Sequence, residues 1–74
     1  MDETELIEKA KEYLKDSFDE DTVSMVVTEN TVDDDGYGIL SVECTISMEG
    51  EKSDWTKDFH FEDGEIVDMD YEEK

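Results

Sequence analysis

Leu40-Ser41-Val42-Glu43-Cys44-Thr45-Ile46-Ser47-Met48 alternates apolar and polar side chains without a break. Successive side chains of a β-strand point to opposite faces, so this period of two predicts a strand with one dry face and one wet face. Downstream, Glu49-Gly50 predicts a turn into a second strand over Lys52 to Glu62. There Trp55, Phe59 and Phe61 share a parity with Lys57, and Asp54, Thr56, Asp58, His60 and Glu62 take the other. Asp63-Gly64 predicts a two-residue hairpin, because a type I′ turn needs positive φ at both central positions. A last strand, Glu65 to Tyr71, sets Val67, Met69 and Tyr71 against Ile66, Asp68 and Asp70, and the chain from Tyr71 to Lys74 is expected to fray.

Upstream of the alternating run, Asn30 to Gly38 reads as a turn containing Asp33-Asp34-Asp35-Gly36. Before it, Val23, Met25, Val26 and Val27 predict a strand over Thr22 to Asn30, but Val26 breaks the alternation and leaves its buried face open. From Asp2 to about Phe18 the apolar residues Leu6, Ile7, Ala10, Tyr13, Leu14 and Phe18 fall on one helical stripe. Asp2 with Glu5 three residues later is a capping-box-like start, Thr4 being the other candidate cap. Glu5 with Lys9, Glu8 with Lys11 and Glu12 with Lys15 stand at helical pair spacing. Asp19-Glu20-Asp21 marks the stop, since acids near a helix C-terminus oppose its dipole. The chain from 1 to 74 thus reads as a single α+β domain. An N-terminal amphipathic helix packs on one face of a four-stranded antiparallel meander sheet, and the other face is left to water.

Charge narrows the function further. Of the 74 residues 25 are acidic and 6 are lysine, with no arginine, for a net charge of −19. Such a chain lacks the basic footprint that direct binding to nucleic acid or to an anionic membrane requires. No apolar run approaches the roughly 18 residues of a membrane span. Cys44 is the one cysteine and has no internal disulfide partner, and residues 1–5 do not read as a secretory signal, so a cytoplasmic protein is expected. Average composition alone points to disorder, but the periodic placement of Trp55, the phenylalanines, the tyrosines and the branched aliphatics points to a fold.

Catalytic and metal chemistry find little here. Asp33-Asp34-Asp35-Gly36 has the aspartates and glycine of a calcium-binding EF-hand loop but not the register. With Gly36 at loop position six, Thr31 and Val42 occupy the first and last positions, where acids are required. His60 is the one histidine and has no fellow ligand, and Cys44 sits on the dry parity as a small core hydrophobe. Glycine-rich phosphate loops and nucleophile elbows are absent. A non-enzymatic protein without cofactor or metal is expected.

If the aromatic parity of the third strand faces the helix, the open side displays Glu43, Asp54, Asp58, Glu62, Asp68 and Asp70. Opposed like charges on neighbouring strands cost up to about 1 kcal/mol each, so something must relieve them. The leading expectation is a basic, nucleic-acid-binding surface of another protein, to which the acids present a phosphate-like array. Small inhibitors of restriction or CRISPR effectors use this nucleic-acid-mimic strategy. Apolar anchors would come from Tyr37, Tyr71 or Trp55 at the edges of the acidic face. The alternative is an acidic surface that only keeps the protein soluble, or that reflects adaptation to high salt, with another partner or self-association. A monomer or a weak homodimer is expected.

Overall fold

The structure, a computed structural model, describes residues 2–74. One helix, α1 (Glu3–Phe18), precedes four strands: β1 (Asp21–Asn30), β2 (Gly38–Met48), β3 (Glu51–Glu62) and β4 (Glu65–Glu73). They form one antiparallel sheet in the order β1-β2-β3-β4, the meander expected from the sequence.

Asp2 caps the helix, its Oδ1 accepting from the Glu5 N–H at 2.9 Å. Leu6, Ala10 and Leu14, four residues apart, are fully buried against Leu40, Val42, Cys44, Ile46, Phe59, Phe61 and Met69. Each leucine contributes about 1.5–3 kcal/mol through this burial. The helix stops at Asp19, which adopts a left-handed conformation at φ 54°; the Asp19 N–H donates to the Lys15 carbonyl and the Glu20 N–H to the Leu14 carbonyl, each at 3.1 Å. Lys15 does not pair with Glu12. Its Nζ lies 3.1 Å from both Asp19 and Asp21, whose hydrogen bonds raise its pKa. Among the described residues the Glu5–Lys9 and Glu8–Lys11 pairs do not form either. The lysine ion pairs among the described residues are instead Lys15 with Asp19 and Asp21, Lys57 with Glu20, and Lys74 with Glu43.

β2 and β3 follow the alternation read from the sequence, with Phe59 and Phe61 under the helix, except that Met48 at the end of β2 lies beyond the core and is exposed. β1 and β4 depart from it. Register shifts leave Val23 and Thr28 unpaired in β1, so Thr22, Met25 and Val27 turn inward while Val26 is 61% exposed. A single extra residue flips every later side chain to the other face, which is why the parity of this strand could not be read. The same device at Val67 reverses the start of β4: Ile66 packs on the core and Val67 points to solvent, not inward with Met69 as expected. The C-terminus also departs from expectation. β4 runs to Glu73, and the Lys74 N–H donates to the Asp54 carbonyl at 3.0 Å, so the end is paired and not frayed.

The turns suit their residues. Glu49-Gly50 and Asp63-Gly64 hold positive φ at both positions, as type I′ hairpins require. In the β1–β2 turn Asp33 Oδ1 accepts from the N–H groups of Asp35 and Tyr37, so its carboxylate organises the turn. Gly36 then docks on the β3–β4 hairpin, its carbonyl accepting from the Gly64 N–H at 3.1 Å.

Candidate binding face

Residues directly opposite each other on neighbouring strands share a face. The pairing register therefore assembles the uncovered side of the sheet in rows. Ser24, Thr45 and Asp54 form one, and Val26, Glu43, Thr56 and Glu72 the next. Glu29, Ser41, Asp58 and Asp70 follow, then Ile39, His60 and Asp68. Rows lie about 6.7 Å apart, so the four span about 20 Å and carry one carboxylate per roughly 3 Å. A single strand of duplex DNA carries one charge per about 3.4 Å of axis.

Of the six acids singled out from the sequence, Glu43, Asp54, Asp58, Asp68 and Asp70 lie within these rows. Glu62 sits at the sheet's end, opposite Glu65 beside the hairpin. Asp58 and Asp70 oppose each other directly. Local partners soften the repulsion at three points. Lys74 Nζ lies 2.7 Å from Glu43, His60 Nε2 lies 3.0 Å from Asp70, and the Thr45 hydroxyl donates to Asp54 at 2.7 Å. Tyr37 stands at the His60 end, in the loop before β2, and is 49% exposed. Sequence reasoning missed Glu29, hidden by the β1 bulges, and Glu72, placed by the unexpected length of β4.

Two of the three expected aromatic anchors, Tyr71 and Trp55, lie on the other face. Tyr71 pairs with Lys57 and Trp55 with Cys44, which puts both rings on the helix side, in edge contact at 5.7 Å. The apolar points on the acidic face are aliphatic. Val26 lies with Glu43, Thr45 and Asp54 in a recess of about 270 Å³. Ile39 lies with Glu29, Ser41 and Asp58 in one of about 260 Å³.

The covered face holds the other charge. Lys57 is 2% exposed, and its ammonium sits 2.9 Å from Glu20 Oε1 and 5.2 Å from the ring centre of Trp55. The left-handed turn at Asp19 brings Glu20 to it.

Chemically the open face presents carboxylates and hydroxyls, which attract cations. Burial pushes the Cys44 thiol up, which keeps it protonated and unreactive. Among the described residues no group of three or more His, Cys, Asp or Glu is placed to hold a metal ion, and no helix is long and apolar enough to cross a membrane. Comparison of the chain with models of known protein families, with curated proteins and with solved structures finds no match.

Proposed function

We propose that the protein is a non-enzymatic inhibitor or competitor whose open face occupies a basic, nucleic-acid-binding surface of a partner protein. The observation that carries this reading is the one-sided array of Asp54, Glu43, Glu72, Glu29, Asp58, Asp70 and Asp68, at a charge density close to that of one polynucleotide strand. An array of this kind steers a positive groove toward it and fixes orientation on arrival. The two recesses supply local fit. Each sets an aliphatic side chain beside carboxylates, Val26 beside Asp54 and the Lys74-paired Glu43, Ile39 beside Glu29 and Asp58, which suits the apolar stem and charged head of a lysine or arginine. Tyr37 and Glu62 extend the contact at the hairpin end. A single buried thiol suits a reducing, cytoplasmic setting.

Competition tests the reading. Proteins retained on the immobilised chain at about 0.1 M salt and released at about 1 M, where the Debye length falls to about 3 Å, are assayed for nucleic-acid binding. The chain is expected to displace DNA or RNA from a retained protein competitively. Retained proteins that bind no nucleic acid, or that bind it undisturbed, contradict the proposal.

A further inference from the structure

A recess lies on the opposite side of the sheet from the acidic rows, where α1 ends. Phe18, Glu20, Trp55, Lys57, Met69 and Tyr71 line it, and its volume is about 190 Å³. That is below the range of sites for cofactors or drug-sized ligands, about 300–1,000 Å³, and of a size for one side chain. Its rim is open aromatic surface: Tyr71 is 59% and Phe18 40% exposed.

We infer that this recess takes an arginine side chain of a protein partner. The walls already receive a cation. Lys57 Nζ lies 5.2, 5.5 and 6.0 Å from the ring centres of Trp55, Tyr71 and Phe18, the arrangement in which a ring's negative face attracts positive charge. Glu20 decides between occupants. Its Oε1 accepts from Lys57, and no other hydrogen bond reaches its carboxylate among the described residues. An apolar side chain closing the recess would strand the second oxygen away from water, at a cost that an incoming N–H avoids. Anions are opposed by the net charge of −19 and by Asp19 and Glu73, which flank Phe18 and Trp55. Arginine suits the site better than lysine. Its planar, weakly hydrated guanidinium stacks on an exposed ring and still directs donors at a carboxylate, two contacts that a compact, strongly hydrated ammonium does not combine.

The site is independent of the acidic rows, so a different experiment decides it. The full-length protein is titrated with acetyl-Gly-Arg-Gly-amide and, separately, with its lysine and norleucine counterparts, while amide and indole N–H signals are followed by NMR. The arginine peptide is expected to give a saturable shift centred on the Trp55 indole and the Glu20 and Tyr71 amides. The lysine peptide should bind more weakly, and the norleucine peptide should give no saturation. Tyr71→Leu keeps an apolar side chain at a half-exposed position and is expected to weaken arginine binding at least about fivefold. The double variant Glu3→Gln, Glu8→Gln, at exposed helix positions that do not line the recess, should leave it unchanged. Shifts confined to the acidic rows, an equal response to norleucine, or a Tyr71→Leu protein that binds as well as the parent would overturn the inference. None of these results bears on whether the open face competes with nucleic acid.

Discussion

The two faces of the sheet are built from alternate residues of the same strands, yet they treat charge in opposite ways. Under the helix there is one cation, Lys57, held by one anion and two close rings, with no water needed to neutralise it. On the open side the same β3 strand carries Asp54 and Asp58, and β4 sets Asp68, Asp70 and Glu72 beside them. β2 meets water there with Ser41, Thr45 and Ser47 as well as Glu43, so a wet strand face does not need to be anionic. Alternation decides which side is dry. The sign and density of charge on the wet side are a separate choice, and they carry the functional reading.

The largest expected effect comes from breaking the balance on the covered face. Glu20→Gln leaves the Lys57 ammonium buried without its counter-ion, and should lower unfolding free energy in a urea titration by about 3 kcal/mol. Adding Lys57→Met to it should bring stability back to within about 1 kcal/mol of the parent, because the pair is worth little beyond its own desolvation. A near-neutral Glu20→Gln would show that water reaches Lys57, and the contrast between the faces would dissolve.

Gly36→Ala should cost about 2–3 kcal/mol by the same titration. The new Cβ would lie 2.2 Å from the Gly64 backbone nitrogen, and the residue sits at φ +86°. Gly50→Ala at φ +84°, with nothing within 4 Å, should cost only about 1 kcal/mol. The difference measures how firmly the β1–β2 turn is docked on the β3–β4 hairpin at the end of the acidic face.

On the open face the sign reverses. Asp58→Asn removes one of two directly opposed carboxylates and should raise stability by about 0.5 kcal/mol in dilute buffer, the gain vanishing near 1 M salt. The parent should itself be folded below about 0.1 M salt; a chain that folds only at molar salt would favour brine adaptation over a binding face. The smallest effect concerns Cys44. Its thiol is raised in the folded state above the ordinary value of 9.0 by burial, so the associated stability is complete below that value and is lost as pH rises through the folded-state pKa. Cys44→Val should remove that alkaline loss, seen as the difference between the two proteins' stabilities above about pH 9.

Most of the architecture was legible because hydrophobic periodicity and hairpin chemistry are local signals. The Leu40–Met48 alternation, the Asp63-Gly64 turn and the helical stripe each imply one element, and the short connections impose the meander. Faces were legible only where the ladder is regular. Glu43, Asp54 and Asp58 follow from the parity of β2 and β3, whereas Glu29 and Val67 sit beside bulges that no pattern of two reveals. The aromatic parity of β3 included Lys57, a visible anomaly. Its partner was not visible, because Glu20 reaches it through a left-handed backbone at Asp19, and that conformation is a property of the packed helix end.

The central claim is that position, not total charge, makes the acidic face a binding surface. Two variants of equal net charge separate the two. One carries Asp54→Asn, Asp58→Asn, Asp68→Asn and Asp70→Asn on the open face. The other carries Glu3→Gln, Glu8→Gln, Glu12→Gln and Asp16→Asn on exposed helix positions. In competition with nucleic acid for a retained basic protein, the open-face variant should lose at least about tenfold in potency while the helix variant stays close to the parent. Equal losses in both would mean that bulk charge alone governs binding, and the account of a built surface would be wrong.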